Sequence, residues 1–511
     1  MYHIWIVILS SLLLLSGCYP GTDVSTVVFP TTAPSTPISL PEVAYYVSST
    51  LGSDVNPGTE ALPWQTIQKA VKSIKAGDTV YIRGGEYATL YGGWTFQNSG
   101  LPGQPITVSN YPGEQVVIRI SDVSLNYNAF RCLYSSVDSV TWQTTKAEYI
   151  HIAGSDVSPR TLSNGVESVK GIVIQGVQGE QAAGISGGGC DYWEVSGVDF
   201  VQVAYGIFTF KKNFQGVQEY SADNWHVHNN RVYNYYRESG MQFNGNNNLV
   251  EKNEVYKVSD QLDTPYGCQL LNFLGNGNVV RQNTLSRLGS AARCGGILFE
   301  WDLADRNLVE RNYIYDVPWG VRLAGGDNNI FRNNLIEAAG GEFGILISSY
   351  DTRTAWPCDE PGVILPANDP AAPDYAYYYN PRNCHSFGNQ IYNNTIHGFV
   401  EGINMFELYD ADTLMRNNVI SGWTRGGICY RGSLQYVCDA SLPAGIAADH
   451  NAIREPFGFV NLQAHDFHLS SQSVLVDAGV NLGELNPNDY DGNGRAGGAA
   501  YDIGAYEFIF P

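Results

Sequence analysis

Asn278-Val-Val-Arg-Gln-Asn283-Thr-Leu285, Asn307-Leu-Val-Glu-Arg-Asn312-Tyr-Ile314 and Asn329-Ile-Phe-Arg-Asn-Asn334-Leu-Ile336 are one octet written three times. Outward from these lie Trp225-His-Val-His-Asn-Asn230-Arg-Val232, Asn248-Leu-Val-Glu-Lys-Asn253-Glu-Val255, Asn389-Gln-Ile-Tyr-Asn-Asn394-Thr-Ile396 and the octet ending at Ile420, with a degenerate copy from Trp193 to Phe200. The second Asn recurs at intervals of 23, 30, 29, 22, 60 and 24 residues from Asn230 to Asn418. Periods of this size belong to solenoids. Apolar residues alternate over short Val- and Ile-rich runs separated by Gly and Asn, which is strand-and-turn chemistry. The expected architecture is therefore all-β, a solenoid of about three short strands per coil, with stacked Asn side chains satisfying each turn and tolerating the left-handed conformation there.

Each repeat carries a second strand that opens on Gly: Gly206-Ile-Phe-Thr-Phe210, Gly240-Met-Gln-Phe-Asn244, Gly296-Ile-Leu-Phe-Glu300, Gly320-Val-Arg-Leu323, Gly344-Ile-Leu-Ile347, Gly402-Ile-Asn-Met405 and Gly427-Ile-Cys-Tyr430. Stacked in register, these place Ile207, Met241, Ile297, Val321, Ile345, Ile403 and Ile428 in the core and alternate residues outside.

With these repeats on the page, the chain resembles pectate-lyase-like right-handed parallel β-helix proteins. The segment from Tyr45 through Trp64 and Thr66 to Tyr87 resembles their N-terminal cap, and the resemblance implies a short helix over about Thr66 to Ile74 plugging the solenoid's open end, which Gly77-Asp78 terminates. An unplugged end would be an unpaired sheet edge. The stretch from Phe467 to Glu507 resembles a terminal module called choice-of-anchor Q. Within it Asp489, Asp491 and Asn493 ahead of Gly494 have calcium-loop spacing, but the acidic residue that would complete the loop is Ala500. Calcium is one expectation there, an Asp/Arg-stapled turn the other.

At the other end, an apolar run from Ile4 to Leu15 is too short to span a bilayer and leads into Leu15-Ser-Gly-Cys18. That tetrad resembles the bacterial lipobox, which implies an exported chain lipid-anchored through Cys18. Residues 1–18 are read as the signal peptide, 19–43 as a Ser/Thr/Pro-rich tether, 44–465 as the β-helix with its cap, and 466–511 as the terminal module. The net charge of −21 opposes nucleic-acid phosphates. The membrane enters only through the anchor, and a monomer is expected. Eight cysteines beyond Cys18 in an exported chain point to disulfides. Sequence proximity pairs Cys358 with Cys384, Cys429 with Cys438 and Cys268 with Cys294, leaving Cys132 with Cys190.

A ligand on such a solenoid lies along the outer face of the Gly-initiated sheet. Alternation puts Phe208, Phe210, Gln242, Asn244, Glu300, Asp302, Arg322, Ser348, Asn404, Phe406 and Arg431 there, a mixture of amides, charges and aromatics that suits a polysaccharide. The 60-residue interval holds an excursion, 351–385, bearing Trp356 and the aromatic run that includes Tyr377; it is expected to wall the groove. Glu300 and Asp302, two apart on one face, are the preferred catalytic carboxylates, with Arg322 placed to meet a hydroxyl or a uronate carboxylate. A lyase would pair Arg322 with Lys211 or Lys212 as base, whereas a hydrolase would need only the carboxylates. A non-catalytic adhesin or glycan-binding module is the rival reading, since the fold alone does not decide function.

Overall fold

A computed structural model describes residues 43–120, 128–132, 147–177, 182–209, 212–213, 219–220, 222–260, 267–300, 304–348, 386–406, 412–432, 436–495 and 497–509. Each octet begins with a three- or four-residue strand, and these stack into a parallel sheet of thirteen strands running from Ala44–Val47 to Ile446–Asp449. The remaining strands of each coil form a second sheet of twenty-one. Ile207, Met241, Leu271, Ile297, Val321, Ile345, Ile403 and Ile428 follow one another in register and are buried. The chain is a right-handed parallel β-helix, and residues 41–511 form one compact unit.

Thr66 caps the helix Ile67–Ser73, its hydroxyl accepting from the Lys69 N–H at 3.1 Å. Ile67, Ala70, Val71 and Ile74 face into the end of the core, so the helix closes what would be an open edge. Asp78 ends the segment by accepting from the Lys75 N–H at 2.8 Å.

The expected Asn stack exists, with one correction to its backbone. Asn230, Asn253, Asn283, Asn312, Asn334, Asn394 and Asn418 are at most 1 % exposed, and each Oδ1 from Asn253 onward accepts the backbone N–H and the amide of the Asn one coil earlier at 2.9–3.1 Å. The left-handed residue is the one before it: Lys252, Gln282, Arg311, Asn333, Asn393 and Asn417 have φ between 51° and 56°. The kink turns the chain, and the next side chain is then free to run along the solenoid axis. The first Asn of the octet forms a second ladder through Asn248, Asn278, Asn307, Asn329 and Asn389.

The C-terminal stretch packs along the flank of the late coils. Asn333 donates to Asn486 and to the Asn488 carbonyl at 2.7 Å, Asn393 to the Asp502 and Gly504 carbonyls, and Asn417 to the Val480 carbonyl. Disulfides join Cys132 to Cys190, Cys268 to Cys294 and Cys429 to Cys438, with Cα–Cα distances of 6.1, 4.3 and 4.1 Å. Cys358, Cys384 and Cys18 lie outside the described residues.

Candidate functional site

The outer face of the Gly-initiated strands carries two principal rows. Phe208, Gln242, Asn272, Leu298, Arg322, Leu346 and Asn404 stand in one register line. Glu300, Ala324, Ser348, Phe406 and Arg431 stand in the next. A third row precedes each strand's glycine and contains Trp319, Phe343 and Glu401. Sequence reasoning passed over this row because it counted alternation from the glycine onward. The bend at Gly402, whose missing Cβ would meet Ile420 at 2.1 Å, turns two successive residues inward and releases Glu401 to the outside. The recurring aromatic or acidic residue just before Gly320, Gly344 and Gly402 was the available signal.

These rows converge on an open cleft of about 560 Å³ whose walls include Arg322, Phe343, Glu401, Asn404, Phe406 and Arg431. Glu401 accepts from Arg425 Nη1 at 2.7 Å, from the Tyr436 hydroxyl at 2.6 Å and from the Asn404 amide. Burial, then the bond to Glu401, holds Tyr436 above the ordinary phenol value, so it stays a proton donor. The Arg431 guanidinium lies 5.7 Å from the Phe406 ring centre. Glu342, also on the cleft wall, is paired with Arg293. Arg322, Arg425 and Arg431 thus line one cleft with Glu401, in a chain of net charge −21. Trp319 lies against Gly295, where a Cβ would fall 1.8 Å from the indole. A glycine is what lets that ring settle on the outer face.

Glu300 is half-buried and accepts from the Asn272 amide at 2.8 Å, one coil earlier and diagonal to Arg322. Asn244 does not line the open face: it is buried, and its amide donates to the Thr209 carbonyl at 3.0 Å. Four coil steps separate the Phe208 strand, after which Lys211 and Lys212 follow, from Arg322. At roughly 4.8 Å per step, Phe208 and Arg322 are about 19 Å apart along the solenoid axis. Asp302, Lys211, Phe210, Trp356 and Tyr377 lie outside the described residues.

The loop of Asp489, Asp491 and Asn493 is closed by hydrogen bonds. Asp489 is buried and accepts from the N–H groups of Asn493 at 2.7 Å and Glu507 at 3.0 Å, while Asp491 turns to His468 at 3.0 Å. The buried Arg495 donates to Asn333 and to the carbonyls of Gly504 and Ala505. These bonds tie the turn to Arg495 and to the rest of the segment. In the cleft, no three metal-ligating carboxylates come together among the described residues.

Comparison with known proteins follows the same line. The family described as "Pel9A-like, right handed beta helix region" matches residues 45–272. The scaffold is a right-handed parallel β-helix, and residues 45–272 are similar to this family. Pectate lyase PEL9 of Emericella nidulans is 36% identical over 109 residues, 20% of this chain and 26% of that protein. Uncharacterized protein YwoF of Bacillus subtilis is 42% identical over 74 residues, 14% of this chain and 15% of that protein. The chain thus spans about a quarter or less of the length of these relatives. Among solved structures, pectate lyase Pel9A aligns with TM-score 0.49 and 15% identity over 91% of this chain and 96% of its own, and the PL6 family polysaccharide lyase Pedsa3628 from Pseudopedobacter saltans with TM-score 0.43 and 14% identity over 81% and 92%.

Proposed function

We propose that this protein is a carbohydrate-active enzyme that lays an acidic, uronate-bearing polysaccharide along the Gly-initiated groove and cleaves it by β-elimination. The observation that carries this reading is the gathering of three guanidiniums, Arg322, Arg425 and Arg431, on the wall of one cleft. A uronate carboxylate must be neutralised before its C5 proton becomes acidic enough to remove, and an Arg fork does this with two directed bonds. The overall charge of −21 does not outweigh this: beyond about 8 Å it is screened at physiological ionic strength, whereas the cleft guanidiniums act at contact. The shared stretch with a relative named pectate lyase points the same way. Trp319, Phe343 and Phe406 offer ring faces to sugars.

One observation favours hydrolysis instead. Glu300 sits half-buried on the outer face within reach of the same sugar as Arg322. The purified chain, incubated with uronate-rich and neutral polysaccharides, separates the readings. New absorbance from an unsaturated uronide, seen with the acidic polymers, is the expected result. Reducing ends without that absorbance would establish the hydrolase reading, and retention without products would leave a binding module. We also infer export and anchoring through Cys18, from the Leu-Ser-Gly-Cys run ahead of a polar tract. Cys18→Ser is expected to move the protein from the membrane to the soluble fraction, and a mutant that stays with the membrane would overturn the anchor.

A further inference from the structure

The thirteen-stranded sheet, on a different side of each coil from the groove, carries a cluster the proposed reaction does not use. Three consecutive strands, Ile150–Ala153, Glu194–Ser196 and His226–His228, stack in register with His151 opposite Glu194 and Glu194 opposite His226. Their inward residues fix the arrangement. Trp193 and Trp225 are buried, stacked at 5.2 Å and 10°, immediately before Glu194 and His226. Outside, the Nε2 atoms turn toward carboxylates: His228 to Glu194 at 3.0 Å, His151 to Glu194 at 3.4 Å, and His226 to Glu251 on the next coil at 3.1 Å. The rings of His226 and His228 lie 4.1 Å apart, and one ligand atom from each of Glu194, His226 and His228 falls within 4.8 Å of the others.

We propose that Glu194, His226 and His228 form a binding site for a zinc-class divalent transition metal, clipping neighbouring coils together from outside. Bonds of about 2.0–2.1 Å in tetrahedral geometry separate ligand atoms by roughly 3.3 Å, close to the 3.0 Å found from Glu194 to His228, with a ligand atom of His226 within 4.8 Å of both. Imidazole ligands select zinc-like ions over calcium, which takes oxygen. The three residues are partly exposed, at 19–40 % of their side-chain surface, so an ion can enter from solvent. A metal on His228 Nε2 puts the ring proton on Nδ1, and a half-turn of the Asn229 amide, now 2.8 Å away, supplies an oxygen to receive it.

Isothermal titration of zinc into the metal-stripped, untagged chain tests this. One zinc per chain is expected, with the thermal midpoint rising as zinc is added, while calcium produces neither effect at this site. The variant Glu194→Gln/His226→Gln/His228→Gln should weaken zinc by more than about 100-fold and lose the midpoint shift. His228→Gln alone, measured beside it, guards against misfolding of the triple variant, with far-UV circular dichroism as the check. The control His468→Gln, where the ring pairs with Asp466 and Asp491, should bind like the parent. Zinc affinity kept in either folded cluster variant, zinc binding lost in His468→Gln, or no zinc binding by the parent overturns the proposal.

Discussion

Asn312 shows at the scale of one residue what holds a coil. Its Oδ1 accepts the N–H and amide of Asn283, and its own amide donates to the Val280 carbonyl at 2.9 Å and to Asn334 at 3.0 Å. Removing it leaves buried partners on two coils without bonds, and each such group costs about 1–3 kcal/mol. Asn312→Ala should therefore lower stability by about 2–5 kcal/mol, read as a drop in urea midpoint, while Asn312→Asp retains part of the ladder as acceptor only. The octet made this residue legible, since an Asn at one fixed place in every coil has few roles besides stacking. The left-handed position was misassigned because periodicity marks which residue recurs without saying which one turns.

At the scale of the element, the groove strands owe their chemistry to which residues follow and precede each glycine. Arg322 and Arg431 come from non-adjacent coils, their strands Trp319–Ala324 and Gly426–Arg431 separated by Leu335–Ser348 and Thr395–Phe406, yet they line one cleft. A charged hydrogen bond to a carboxylate contributes about 1.5–3 kcal/mol. Arg322→Ala and Arg431→Ala should each lower kcat/KM on an acidic polysaccharide by about 10- to 150-fold. Thermal midpoints should stay nearly unchanged, because neither residue belongs to the core. Unchanged turnover in both variants would remove the uronate reading. Alternation along single strands was enough to place Gln242, Glu300, Arg322 and Phe406 outside. Asn272 escaped because its strand, Cys268–Phe273, opens without the glycine that marked the others, and Arg425 because it precedes its strand.

Over the whole molecule, the solenoid is closed by a helix at one end and flanked by its own C-terminal segment. The doublets Asn333-Asn334, Asn393-Asn394 and Asn417-Asn418 divide the work, the second Asn stacking and the first gripping that segment. Earlier coils have Lys252, Gln282 and Arg311 in the first place instead. The segment's anchor is buried Arg495 among acids, bonded to Glu507 at 3.2 Å. Burial, then the charge of Asp502, pushes Glu507 up to about 8 from its ordinary 4.5. The guanidinium does not deprotonate in this range, so Glu507 is the titrating partner. Between those values the folded chain keeps a proton that the unfolded chain has lost, so this group's contribution to stability falls as pH rises from about 4.5 to about 8. Glu507→Gln should flatten that fall, measured as thermal midpoints across the window, and an unchanged slope would place the pH dependence elsewhere.

The amino-acid sequence by itself determined the solenoid, its capping helix, the Asn stack, the inward Ile and Val line and the outward place of most groove residues. The capping helix was implied by the resemblance of the N-terminal segment; the rest follow from periodicity, because every coil repeats one local environment and a two-residue alternation decides the face. Only the tertiary structure decided which coils meet at the cleft, that Asn244 is consumed by Thr209, that Phe208 and Arg322 stand four steps apart, and that His151, Glu194 and His226 align on one ridge. Such facts depend on the height of each residue along the axis. Successive stacked Asn residues are 22 to 60 residues apart, so sequence distance does not measure that height, and stacking register does.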